Sequence, residues 1–164
     1  MKFIMDSLLR LALFEPDMPP NTGAMMRLCA CFGLPLDIIE PCGFAFDDKK
    51  LRRVAMDYID LLDYKRHRSW DDFRQHAKTE KRRIVLLTTK TKMPYYQFDF
   101  QKNDILMVGR ESSGVPEVVH SAADARVTVP MVPEARSLNV GMAAAIVMAE
   151  ALRQTTLRKE GGFA

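Results

Sequence analysis

The chain reads as an α/β protein, a parallel sheet with helices on both faces, and three observations lead there. Residues 8–14, 36–40, 84–87 and 105–108 are short apolar runs without polar alternation, the pattern of strands covered on both sides. The stretches between them carry helical spacing or capping residues, and strands that alternate with helices build parallel sheets. The 164 residues, 48% hydrophobic and 27% charged, suffice for one filled core. No linker or repeat divides them. Residues 1–164 are therefore expected to form a single domain, with an N-terminal tail over 1–7 and a flexible C-terminal tail over 158–164.

Taken in order, the first run ends at Glu15-Pro16 and the pair Pro19-Pro20. Asn21 follows as a helix N-cap, and Met25, Leu28, Cys29 and Phe32 share one helix face, with Gly33 as the stop. Arg27 lies opposite that stripe, free of the core. Residues 36–40 give a second strand and 47–55 a short helix with acids in its first turn. A third strand is expected over 61–64, then a helix capped by Ser69 with Asp72 three residues on. Residues 84–87 form a good central strand, and 105–108 repeat the pattern. A helix to about Ala122 and a strand over 127–129 lead through a proline-bracketed loop to the last helix. That helix opens at Ser137 and runs to about Gln154. From Met142 to Ala149 it is wholly apolar, so it must be covered on several sides, more than a small chain supplies alone.

Composition excludes several classes. Three cysteines without a Cys-x-x-Cys pair support neither a disulfide framework nor a zinc ribbon. His67, His76 and His120 fall in no metal-ligand spacing, so neither a metal nor a histidine triad is expected. No apolar run approaches the ~20 residues of a membrane span, and a reduced, cytoplasmic setting is expected. The net charge is only +3, yet residues 49–92 hold fourteen of the 24 Lys and Arg against six of the 21 Asp and Glu. A basic middle third suits a polyanionic partner; charge alone equally suits a solvated face of basic helices.

In such a sheet, ligands bind beyond the carboxyl ends of the strands. Loops leave such ends after Leu87, Val108 and Val129. The second, Gly109-Arg110-Glu111-Ser112-Ser113-Gly114, matches neither the dinucleotide glycine fingerprint nor a P-loop. Its glycines serve a turn or a close approach of backbone to a ligand. Glu111 is either solvated or bonded to a substrate. In the third loop, Pro130, Met131 and Pro133 make a stiff apolar lip with Ser137 and Asn139 behind it. The lip suits the flat face of an adenine, or Ser137 simply caps the helix while Asn139 faces water.

Three pieces in this order, Asn21-Thr22-Gly23 with Arg27 and Phe32-Gly33, then Gly109-x-Glu111 with Gly114, then Pro130-Met131 with Ser137-Leu138-Asn139, resemble the three motifs of the SPOUT methyltransferases. The chain is most similar to the small tRNA (cytidine(34)-2'-O)-methyltransferases of the TrmL-like branch. Glu15-Pro16, Ile39-Glu40-Pro41, Gly43-Phe44, Asp47-Asp48-Lys49, Leu51-Arg52-Arg53 and Asp57-Tyr58 support that branch, and the likeness runs from about Leu11 to Gln154. It departs from the family pattern at Val140-Gly141, Ala149 and Arg110.

The resemblance implies a C-terminal deep trefoil knot and a homodimer, which would cover the apolar last helix. It implies S-adenosylmethionine held at Leu87, Gly109, Val129, Met131, Ser137 and Leu138, with no metal. Asn21 and Glu111 would bind substrate, and Arg27 and Asn139 would be catalytic. The implied reaction is methyl transfer to the ribose 2'-hydroxyl of tRNA nucleotide 34, on the anticodon arm. An arginine with a pKa above ~12 is a poor base, so Arg27 is read as a phosphate clamp. A sibling enzyme on another tRNA or rRNA position is the alternative within the class. A knotted RNA-binding module without methyl transfer, or an ordinary doubly wound nucleotide-binding protein, lies outside it.

Overall fold

The computed structural model describes residues 9–47, 49, 53 and 56–156, with only the backbone of Met56 and Asp57. Both expected tails, and nearly all of the helix expected over 47–55, lie outside the described residues. Six strands form one fully parallel sheet: β1 (Arg10–Phe14), β2 (Leu36–Ile39), β3 (Tyr64–His67), β4 (Ile84–Leu87), β5 (Ile105–Val108) and β6 (Ala125–Val127). Their spatial order is β3-β2-β1-β5-β4-β6. The helices are α1 (Pro19–Phe32), α2 (Trp70–Thr79), α3 (Glu117–Ala122) and α4 (Val140–Thr155).

Side chains that alternate along the strands divide between two cores. Leu11 and Leu13 of β1, with Leu106 and Val108 of β5, pack with α1 and α4 through Met25, Met26, Cys29, Val147 and Met148. Ala12 and Phe14, with Ile105 and Met107, pack with α2 and α3 through Phe73, Ala77 and Val119. Each fully buried large side chain contributes about 1.5–3 kcal/mol, so both faces need their helices. This is the predicted fold class.

Four expected boundaries shift. Met18, not Asn21, holds the N-cap position of α1, because Pro19 and Pro20 occupy its first turn, where no N–H is missed. Asn21 therefore lies inside the helix. The third strand runs over Tyr64–His67 rather than 61–64; Leu61 closes a 3-10 turn, Met56–Leu61, while the polar edge strand carries no apolar signal. β6 ends at Val127, two residues before the expected end. The last helix opens at Asn139, whose side chain accepts from the Met142 N–H at 3.1 Å, so Ser137 lies in the preceding loop. By contrast, Ser69 accepts from Asp72 N–H at 3.2 Å as expected, and Gly33 closes α1 at φ 64°.

At the β1 side of the sheet a buried charge network ties three strands. The Asp37 carboxylate accepts from Arg10 Nε at 2.7 Å and lies 2.8 Å from His67 Nε2. Asp37 and His67 are fully buried. Burial alone would raise the Asp37 pKa, but the bonds from His67 and Arg10 outweigh it and hold the group below its ordinary value.

Candidate active site

At the carboxyl ends of β4, β5 and β6 the three loops close around a cleft of about 570 Å³, within the range of small-ligand sites. Leu87, Gly109, Val129, Met131, Ser137 and Leu138 line it, as do Asn21, Glu111 and Asn139. Residues more than a hundred positions apart thus meet where a parallel sheet presents its loops. Arg27 is not among the lining residues. It projects from the outer face of α1, exposed, with its guanidinium 5.0 Å from the Tyr58 ring centroid.

The glycine loop is pinched shut on itself. Arg110 and Gly114 exchange two backbone bonds of 3.0 and 2.9 Å, and Gly114 takes φ +67°. A Cβ on Gly109 would stand 2.7 Å from the Gly114 carbonyl carbon, so Gly109 is required by close approach of backbone to backbone. The Arg110 guanidinium is occupied by Glu15.

Asn139 has two roles at the mouth of α4. Its Oδ1 caps the helix, and its Nδ2 donates to Asn21 Oδ1 at 3.1 Å. A Cβ on Gly141 would come 3.3 Å from Asn139 Oδ1, so glycine at this family departure leaves room for the cap. Both asparagines face a cleft whose other walls, Leu87, Val129, Met131 and Leu138, are apolar. Flat apolar walls with a few convergent polar groups suit a nucleoside-sized ligand. The residues present therefore fit S-adenosylmethionine.

Sequence reasoning missed five contributors. Thr88, Thr89 and Lys90 line the cleft directly after β4, a position the loop rule for parallel sheets already points to. His120 also lines it, with Nε2 buried and without a hydrogen-bond partner. Asp17 bonds to Glu111 and Ser112 across 94 and 95 residues, a pairing no local pattern reveals.

Several predicted basic residues are already engaged. Arg66 pairs with Glu40, Arg82 with Glu80 and Arg83 with Asp104. Lys65, Arg68, Lys78, Lys81, Lys90 and Lys92 are exposed. Among the described residues, no helix is long and apolar enough to cross a membrane.

Fold and cleft together define the class: this is the SPOUT fold of RNA methyltransferases. A structure solved to explain 2'-OH methylation of C/U34 on tRNA superimposes with a TM-score of 0.84 at 33% identity, over 89% of this chain and 95% of that one. The chain belongs to the SpoU rRNA methylase family, whose model matches residues 8–149. The tRNA (cytidine(34)-2'-O)-methyltransferase of Beijerinckia indica is 54% identical over 88% of this chain and 90% of its own length. The enzyme of the same name from Escherichia coli K12 is 42% identical over 90% and 94%.

Proposed function

We propose that the protein is a tRNA ribose 2'-O-methyltransferase that uses S-adenosylmethionine to methylate the wobble nucleotide 34, acting as a homodimer in the cytoplasm. What carries the reading is the meeting of Asn21, Glu111 and Asn139 with Met131, the one residue of the expected apolar lip Pro130, Met131 and Pro133 that lines the cleft, in a chain 54% identical to an enzyme of that name.

S-adenosylmethionine supplies an electrophilic methyl group on a cationic sulfonium. Leu87, Gly109, Val129, Met131, Ser137 and Leu138 would hold it, the apolar side chains against the adenine and the loop amides at its polar edges. The segment from β6 to α4 would be the threaded strand of the trefoil knot. Asn21, fixed by Asn139, would orient the ribose, and Glu111 would bond it. With the attacking hydroxyl held in line, much of the rate comes from proximity.

Arg27 would clamp the phosphate next to the target hydroxyl. It stands apart from its own chain's cleft, on an outer face of α1 where Pro20, Ala24 and Cys31 are also exposed; on α4, which packs against α1, Met142, Ile146 and Ala149 are exposed. Met142 is 60% exposed and Ile146 38%, a solvated apolar stripe on a helix expected to be covered. A two-fold dimer through this face would cover the stripe and bring Arg27 to the seam between subunits. The exposed lysines, Lys90 at the cleft among them, would hold the tRNA backbone.

The test is incubation with labelled S-adenosylmethionine and total tRNA from a strain lacking the protein, followed by mapping of the methylated nucleotide. Label on the ribose of nucleotide 34 is expected. Label on another ribose would leave the sibling enzyme, label on a base would end the 2'-O reading, and tRNA binding without label would leave the knotted binding module.

A further inference from the structure

The loop between β1 and α1 touches the glycine loop after β5 through two acidic side chains, Glu15, which takes Arg110, and Asp17. The Asp17 Oδ1 accepts from the Glu111 N–H at 3.1 Å, and its Oδ2 accepts from the Ser112 hydroxyl. In return the Asp17 N–H donates to Glu111 Oε2 at 3.3 Å. Asp17 cannot back away: Gly43 donates to Pro16 O at 2.9 Å and lies so close that a Cβ there would be 2.6 Å from Asp17 Cβ.

Each carboxyl thus accepts from the other residue's backbone N–H, and among the described residues neither carboxyl is ion-paired. Arg110, the adjacent arginine, is taken by Glu15, and Glu40 of the supporting 40–43 loop is taken by Arg66. Like charges held this close repel, so each carboxyl disfavours ionisation of the other. Asp17, which accepts from the Glu111 N–H and the Ser112 hydroxyl, is the natural anion. Glu111, the more buried of the two, is the natural acid. The shifts run the same way: hydrogen bonding to Glu111 comes first in holding Asp17 below its ordinary range, and burial, then Asp17, lifts Glu111 above its own. Glu111 Oε1 is meanwhile buried and without a partner, in a residue that lines the cleft.

We infer that Asp17 is a positioning residue for the reaction: its reciprocal bonds hold Glu111 in one rotamer, leaving Oε1 as an acceptor for a ribose hydroxyl. The inference rests on the 2'-O-methyltransferase reading of the cleft. The fixed rotamer removes a freedom the substrate would otherwise have to freeze.

Carboxyl-carbon NMR titration of glutamate-labelled protein tests it, with single-turnover methylation and cofactor affinity measured on the same samples. In the unaltered protein Glu111 is expected to titrate above the ordinary glutamate range. Asp17→Asn should lower it part of the way toward that range and slow methyl transfer at least tenfold, while cofactor affinity changes less than twofold. Asp17→Glu should recover part of the rate. If Asp17→Asn does not fold, Ser112→Ala removes one donor from Asp17 and should still move Glu111 downward.

Glu111 titrating in the ordinary range, or standing unmoved in both variants, overturns the pair. A shifted Glu111 with unchanged turnover in Asp17→Asn overturns the positioning role. The titration needs no RNA, so a failure of the pair is distinguishable from a failure to methylate tRNA.

Discussion

Replacing Asn139 with alanine separates the two jobs that one side chain performs at the mouth of α4. Its Oδ1 bond to the Met142 N–H is a helix cap, and losing such a cap costs about 1 kcal/mol. Its Nδ2 bond to Asn21 is exposed and adds about 0.5–1 kcal/mol. In a domain of this size each kcal/mol moves the midpoint roughly 2–4 °C, so thermal unfolding should fall by about 3–8 °C. Methyl transfer should fall by about 100-fold, the scale expected when a reacting group loses its alignment by an ångström. Asn139→Asp divides the two effects. The aspartate still caps and is favoured at a helix N-terminus, but it cannot donate to Asn21. Its melting temperature should stay within about 2 °C of the unaltered protein while transfer remains slow. Differential scanning fluorimetry and single-turnover methylation read the two quantities. Unaltered turnover in Asn139→Ala would refute the site, and an Asn139→Asp protein as unstable as the alanine variant would refute the cap.

The remaining predictions concern the loop, the buried network, the open helix face and the basic surface. Gly109→Ala would drive a methyl group into the Gly114 backbone, so the paired bonds of the 110–114 turn should break at a cost of about 2 kcal/mol; cofactor binding by calorimetry should be lost before the fold is. Asp37→Ala would leave Arg10 and His67 without their buried partner, a loss of about 3–5 kcal/mol. Because the native Asp37 carboxyl is held below its ordinary value of 3.8, its contribution is full above that value and disappears as pH falls through the lower native one. Acid titration of stability should therefore show a step below about pH 4 that is reduced in the variant. Ile146→Asp puts a charge into the exposed stripe of α4 and should yield a folded monomer by sedimentation; a dimer unchanged by it would place the interface elsewhere. Affinity for tRNA should fall steeply with salt, and a flat response between low and moderate salt would remove the exposed lysines from the RNA contact.

The strands at the centre of the sheet were legible because a strand buried on both faces has no room for polar residues, and Ile84–Leu87 and Ile105–Val108 contain none. β3 was misplaced for the converse reason: Tyr64–His67 lies at the edge, where Lys65 and Arg66 reach water and the apolar signal vanishes. The Ser69 cap and the Gly33 stop were readable because each is satisfied within a few residues. Asn139 was recognised as a polar residue at a helix mouth, yet whether it or Ser137 capped could not be read from residue types that cap equally well.

What the amino-acid sequence determined by itself was the alternation of strands and helices, the three motif loops and, through them, the family. Those properties are local: they depend on side-chain period, turn chemistry and short spacing. What only the tertiary structure decided was who meets whom. Asn21 reaches Asn139 across 118 residues, and Asp17 reaches Glu111 across 94. Arg27 stands outside the cleft that its motif neighbour Asn21 enters. Such pairings follow from the order β3-β2-β1-β5-β4-β6, which sets β1 beside β5 and brings their loops to one rim. Strand order is chosen by the packing of the whole core, so no single stretch of the chain carries it.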